Sequence, residues 1–377
     1  YAHQFKSGEA LRSYLLDRLH SENEDSKERV LDYTSSRFRR EKSDFFRLYG
    51  GSLGGKARGL GFARSMLKDS GIQKKFSNVN IRVPQCAVIG TDEFDRFMKD
   101  NDLWSIALRG IDDDGLVKNF IKARLSIDLI LRLESFIKEN KYPLAVRSSS
   151  LLEDSQYQPL AGTYETYMLP NNSRSDKKRL KELTIAIKKV FASTFKGEAR
   201  TLLNNTAHRI EEEKMAILIQ EIVGQAYKSN RFYPTFSGVL QSINYYPVSY
   251  MKRNEGVAYL ALGFGRTIVD GEKCLRISPE YPTILPQFFS IKATKENTQN
   301  QFYGLPLRAK DQLGPDLLSY NLKDAEDDGV LQWIGSVVSH EDNTIRDSLS
   351  TSGTRVVSFA PILKWKTIPF ASLAKED

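Results

Sequence analysis

Apolar positions along the chain follow two periods, and these divide it into helices and strands. Leu11, Leu15, Leu16 and Leu19 fall at helical spacing within residues 5–23, ahead of a polar, charge-dense connector. Residues 1–45 therefore read as a helical leader and linker. A short helix is expected over Lys56 to Ser70, stopped by Gly71. Val79 to Gly90 has strand composition with a proline inside it, and runs into Thr91 as an N-cap with Phe94, Phe97 and Met98 on one helical face. A helical region over Leu116 to Ile137 leads to the short strand PLAVRSSS, followed by the stretch AGTYETYML and two more helical stretches to about Leu203. The strands MAILIQEIV, FSGVLQSI and GVAYLALGFG come next. The segment from Ile277 to Glu326, rich in Pro, Gln, Asn and Tyr, reads as irregular connecting structure, and Thr354 to Leu363 as a last strand. Helices and strands mix without a strict βαβ rhythm and no repeat is visible, which places the chain in the α+β class.

Composition fits a multi-lobed globular protein. Of the 377 residues 40% are hydrophobic and 27% charged, enough for two to three modest cores. The longest apolar runs, such as Met215 to Ile219, fall far short of the roughly 18 residues needed to cross a bilayer, so no membrane partner is expected. Cys86 and Cys274 are the two cysteines; both are expected as buried, inert thiols, and a cytoplasmic location follows from them. Much of the formal charge of +8 lies in Lys177 to Val190. Leu180, Leu183, Ile187 and Val190 take one face of a helix there and lysines the other, which describes a solvated helix. The basic residues are otherwise dispersed and no stacking platform of aromatics stands out, so nucleic acid is not an expected partner. The missing initiator Met and leader read either as a trimmed N-terminus or as a piece cut from a longer protein, and the abrupt LAKED ending fits the second.

Four short stretches suggest phosphate chemistry. YGGSLGGKARG fits a P-loop pattern through Gly50, Gly55 and Lys56, but Ala57 stands where a magnesium-binding hydroxyl belongs. The preceding SRFRREKSDFFRLY is largely charged, so an apolar strand ending at Gly50 is not expected, leaving a plain glycine turn or a lysine loop of another fold. LAVRSSSLLEDS delivers Arg147 to a strand end beside three serines; its planar fork suits two phosphate oxygens, or else pairs with Glu153 or Asp154. LAGTYETYML begins with the small tip Ala161, Gly162 and Thr163, which lets amides approach an anion or simply turns a hairpin. In MAILIQEIVG the apolar strand gives way to Gln220 and Glu221, where the edges of an adenine could be read, although strand ends carry polar residues for many reasons.

These pieces, with VPQCAVIGTDEFDRFM, FSGVLQSINYYP and LGFGRTIVDGE, lie in an order and at separations that resemble the nucleotide-binding domain of the phosphoenolpyruvate synthase and pyruvate phosphate dikinase family. The resemblance covers about residues 49–272. It implies an ATP-grasp fold of two lobes of mixed sheet with flanking helices, over 46–220 and 221–377, the second lobe incomplete at its C-terminal end. It implies that ATP lies between the lobes, with Lys56 and Arg147 on its phosphates, in catalysis as well as binding. Ala161, Gly162 and Thr163 would cover the phosphates, and Gln220, Glu221 and Val223 would border the adenine. Members of the family pass a phosphoryl group from ATP to a histidine on a carrier domain and on to pyruvate in a third domain. The carrier histidine lies in a Gly-Gly-x-x-Ser-His-Ala type motif, and His3, His20, His208 and His340 have no such surroundings. Both partner domains are thus expected elsewhere in the full-length protein, and the piece alone is expected to be inactive. The family's Mg2+ ligands are expected beyond residue 377, and none is assigned within the chain. Arg266 stands where the family carries Glu. Two alternatives remain, a noncatalytic nucleotide-sensing module and a dikinase-type phosphotransferase acting on another acceptor.

Overall fold

Met215 to Ile219 is apolar at every position, so a strand built from it needs cover on both faces. The computed structural model, which describes residues 31–32, 45–76, 79–109, 112–150, 164–204, 213–248, 250–308 and 317–364, provides that cover. The chain divides into two compact units, Tyr1–Ile222 and Val223–Asp377.

The first unit contains β1 (Leu31–Asp32), β2 (Phe45–Tyr49), α1 (Gly54–Asp69), α2 (Ile72–Lys75), β3 (Cys86–Ile89), α3 (Thr91–Asp100) and α4 (Leu103–Leu108). These are followed by α5 (Asp113–Lys122), α6 (Ile127–Glu139), β4 (Leu144–Ser150), β5 (Thr166–Leu169), α7 (Asp176–Ser193), α8 (Gly197–Asn204) and β6 (Met215–Glu221). Its six-stranded sheet runs β1-β2-β3-β6-β4-β5, parallel from β1 to β3 and antiparallel from there on. Side chains alternate across the strands. Phe46, Leu48, Ala87, Ile89, Val146, Ile217 and Ile219 join the large core beneath α3 to α8, and the opposite face, with Phe45, Val88 and Leu218, packs on α1 through Ala57 and Leu60. Phe94 and Phe97 lie in the large core, where Phe94 meets Phe191 edge-on at 5.2 Å.

Several boundaries differ from the expectation. Phe45–Tyr49 is a strand with Phe45, Phe46 and Leu48 buried, so an apolar strand does lead into the glycine loop. The charged residues ahead of it hid five positions that pack on both sides. The strand after Pro84 is confined to Cys86–Ile89, because proline contributes no ladder donor. The expected long helix over Leu116 to Ile137 is two helices, broken where the Ser126 hydroxyl accepts from the amide of Leu129 and starts α6. The leader over 1–30 lies outside the described residues.

The second unit contains β7 (Gln225–Ala226), β8 (Arg231–Tyr233), β9 (Phe236–Gln241), β10 (Val257–Leu262), α9 (Arg266–Val269) and β11 (Leu275–Ile277). Then come α10 (Ile291–Asn297), β12 (Gln301–Pro306), β13 (Leu318–Asn321), α11 (Leu322–Asp327), α12 (Leu331–Ile334), β14 (Gly335–Ser339), β15 (Ile345–Arg346), β16 (Gly353–Val357) and α13 (Ala360–Lys364). They form the sheets β11-β10-β9, β13-β12-β8-β7 and β15-β14-β16 around a core that includes Tyr233, Leu260, Phe302, Ile334 and Phe359. Among its described residues the segment expected to be irregular thus holds two strands and two helices, whose caps at Ser290 and Asn321 were visible as residue types in the sequence. The last strand ends at Val357; Phe359 turns at a φ of 55° and the chain continues as α13. With mixed helices and sheets throughout, the fold is α+β and ATP-grasp-like.

The second unit has a buried ionic knot. Asp328, its side chain 3% exposed, accepts from Arg231 Nε at 2.8 Å, Ser229 Oγ at 2.7 Å and the Tyr233 hydroxyl at 2.9 Å, and Arg231 also reaches Asp324 at 2.6 Å. Burial pushes the Asp328 carboxyl up, but the hydrogen bonds from Arg231, Ser229 and Tyr233 outweigh it and hold the group below the ordinary 3.8. Removing one member of such a pair leaves the other buried and uncompensated. Asp328→Ala is expected to cost about 3 kcal/mol in urea unfolding. Because the folded carboxyl titrates below its unfolded value, this contribution is complete above about pH 4 and is lost as the pH falls further. The unfolding free energy of the variant should accordingly vary less with acid than that of the wild type.

Candidate functional site

Helix α1 starts under an unusual constraint. Its N-cap, Leu53, has no side-chain oxygen to offer, and its first turn carries no acidic residue. The positive end of the helix dipole therefore has no acidic residue of its own first turn beside it, and Lys56 adds a full cation there. The helix end is satisfied from β4 instead: Ser149 Oγ accepts from the Ala57 amide at 3.1 Å and donates to the Leu53 carbonyl at 2.8 Å. Gly54, at a φ of +74°, lies so close to this strand that a Cβ would sit 1.6 Å from the Ser149 carbonyl oxygen.

The glycine loop is held from its other side by α3. Ser52 N donates to Thr91 Oγ1 at 3.0 Å, Thr91 N to the Ser52 carbonyl at 3.0 Å, and Asp92 N to the Gly50 carbonyl at 3.3 Å. Thr91, expected as an N-cap, is the first helical residue behind the cap Gly90, and its hydroxyl serves the loop. Gly51 is at a φ of +95°, and a Cβ there would meet the Asp92 amide at 2.5 Å.

Two stretches 92 positions apart thereby come together. Lys56 Nζ donates to Ser148 Oγ at 3.0 Å, one residue along β4 from Arg147. Arg147 Nη1 donates to Gln220 Oε1 at 3.0 Å. Gln220 is paired in the ladder with Ala145, which makes it the diagonal neighbour of Arg147 on the face that also carries Ser149. Among the described residues no carboxylate lies within ion-pair distance of Arg147; Glu153 and Asp154 lie outside them. The neutral amide of Gln220 steadies this guanidinium. Of the three serines, Ser148 accepts from Lys56, Ser149 holds α1, and Ser150 donates to Glu213.

Glu221, expected to border an adenine, has its carboxylate committed to the scaffold. It accepts from both Arg82 nitrogens, at 2.7 and 2.8 Å, and from the Gln85 amide at 3.1 Å. Burial pushes its carboxyl up, but the Arg82 fork and the Gln85 amide outweigh this and hold it below the ordinary carboxylate range. Val223, 52% exposed, begins the second unit, and Ala161, Gly162 and Thr163 lie outside the described residues. Ala57 is fully buried against Leu218 and Val88, so it is a core residue; with a strand now seen before the loop, the absence of a hydroxyl at this position is what separates the loop from a P-loop.

In the second unit, Arg266 pairs with Asp270 at 3.0 Å and lies 4.8 Å from the centre of the Tyr303 ring. His340 is exposed and meets Thr354 Oγ1 at 3.2 Å. Cys86 is buried and Cys274 half-buried. No group of three or more His, Cys, Asp and Glu side chains able to hold a metal occurs among the described residues. No helix among them is long and apolar enough to cross a membrane.

A strand, a glycine loop clamped on both sides, a helix with a lysine in its first turn, and an arginine on the adjoining strand come together in the first unit. The chain belongs to the family of the pyruvate phosphate dikinase AMP/ATP-binding domain, whose model matches residues 51–305. It is also similar to the uncharacterized phosphotransferase YvkC of Bacillus subtilis (strain 168), 27% identical over 231 residues. That similarity covers 61% of this chain and 24% of the relative, so the chain spans about a quarter of the protein it matches.

Two glycines of α1 give opposite expectations. Gly54→Ala forces a clash with β4 at positive φ and should cost about 3 kcal/mol in denaturant unfolding. Gly59→Ala, where an added Cβ meets nothing within 4 Å, should stabilise by about 0.5 to 1 kcal/mol. Equal effects at the two positions would contradict the close approach of α1 to β4.

Proposed function

We propose that this chain is the ATP-binding part of a dikinase-like phosphotransferase, and that it supplies a phosphoryl group from ATP to a histidine on a carrier domain of the same full-length protein. The observation that carries this reading is the hydrogen bond from Lys56 Nζ to Ser148 Oγ, which brings the lysine ammonium to the residue beside Arg147. In this reading Lys56 and Arg147 contact the triphosphate, and the backbone of Ala161, Gly162 and Thr163 covers it. The Gln220 amide and the main chain at Glu221 and Val223 border the adenine; the Glu221 carboxylate stays with Arg82.

Phosphoryl transfer asks a protein mainly for charge neutralisation and alignment. Lys56, which donates to Ser148, meets an anionic oxygen of the ligand, a stronger partner for an ammonium than a hydroxyl. Arg147 meets two oxygens with a fork already steadied by Gln220. Charge that develops on the transferred group then faces two fixed cations and the positive end of α1. Magnesium would screen the phosphates of a bound ATP in this reading, its protein ligands being expected beyond residue 377. The same nucleotide site would serve a phosphotransferase with another acceptor. Arg266, tied to Asp270 and Tyr303, favours no acceptor over another.

Binding of ATP to the folded chain should raise its unfolding free energy by roughly 2.7 kcal/mol at a hundredfold excess over the dissociation constant. Lys56→Ala and Arg147→Ala should remove most of that gain in a thermal-shift titration. A rise of wild-type size in both variants would refute their assignment.

A further inference from the structure

We infer that Ser149 is the positioning residue for Lys56, an inference that rests on the nucleotide-site reading above. A helix whose first turn faces an anion has a particular difficulty. The side chains best suited to cap it, Asp above all, are negative or compete for the same amides that the anion needs. Helix α1 avoids the conflict with Leu53 as its N-cap, no acidic residue in the first turn, and a neutral hydroxyl brought from β4. Ser149 is fully buried and uses its hydroxyl in both directions, donating to the Leu53 carbonyl at 2.8 Å and accepting from the Ala57 amide at 3.1 Å. These two bonds bracket Gly54, Gly55 and Lys56 and hold the turn from which the lysine leaves the helix.

The bracket also fixes distance. Gly54 lies against the Ser149 carbonyl with no room for a Cβ, which puts the first turn of α1 as near to β4 as backbone allows. From there the Lys56 ammonium just reaches Ser148, the neighbour of Arg147. Side chains with only an acceptor or only a donor cannot make both bonds of Ser149, and alanine makes neither. Loss of the hydroxyl should loosen the first turn and spread Lys56 over several directions, lowering phosphate affinity while leaving the adenosine end of the ligand untouched.

The test is isothermal titration of the 377-residue chain with ATP and, separately, with adenosine. Ser149→Ala should weaken ATP about five- to tenfold, in line with the loss of a helix cap, and leave adenosine unchanged. Lys56→Ala with Ser149→Ala should bind ATP no more weakly than Lys56→Ala alone, since the serine acts through the lysine. Ser175→Ala, which removes the cap of the remote helix α7, should leave both ligands as in the wild type. Wild-type ATP affinity in Ser149→Ala, with Lys56→Ala weakened, would overturn the role of Ser149 and leave the nucleotide site standing. Additive losses in the double variant, or equal losses for ATP and adenosine, would also overturn it. A wild-type chain without ATP affinity would overturn the nucleotide site itself.

Discussion

The approach of α1 to β4 is the constraint on which the first unit depends. A helix start and a strand 92 positions apart in sequence meet with no side chain between Gly54 and the Ser149 carbonyl. Hydrophobic contact of Ala57 and Leu60 with Val88 and Leu218 holds the helix on the sheet, but apolar packing is non-directional and does not fix the helix end. The Ser149 hydroxyl and the clamp of Thr91 on Ser52 do that, by satisfying backbone groups that would otherwise be left without partners.

The electrostatic consequence follows from the partners these residues have. Hydroxyls and an amide hold the glycine loop, α1, Lys56 and Arg147. Glu221, the acidic residue next to Gln220, is tied to Arg82 by a two-pronged pair and to the Gln85 amide. Arg147, steadied by the neutral amide of Gln220, keeps more of its attraction for a ligand than a guanidinium already facing a carboxylate would. The arrangement thus suits a polyanion, and ATP is the polyanion named in the description of the family to which the chain belongs.

Much of this was legible in the sequence, where strong periodic patterns lay between clear stops. The strand carrying Arg147, the strand Met215–Glu221 and the helix after the glycine loop all appear where the residue pattern puts them, although Arg147, expected at its strand's end, lies in the middle of it because the serines continue the ladder. Phe45–Tyr49 was hidden because alternation over five residues is short and its neighbours are charged. The strands Gln301–Pro306 and Leu318–Asn321 were obscured by Pro, Gln and Asn, although Asn321 and Asp324 form a capping box that a closer reading of spacing would have found. Ser149 and Thr91 could not have been assigned from the sequence. Their hydroxyls act on backbone distant in the chain, and no local pattern encodes such a contact. Glu221 likewise looked available until Arg82, 139 positions away, was seen against it.

The central claim is that Lys56 and Arg147 converge on one triphosphate, and a crystal structure of the chain with a non-hydrolysable ATP analogue tests it most directly. The account predicts that the Lys56 ammonium leaves Ser148 for a phosphate oxygen at about 2.8 Å, with the Arg147 fork on oxygens of the same ligand. An analogue bound elsewhere, with Lys56 still on Ser148 and Arg147 turned from the phosphates, would contradict it.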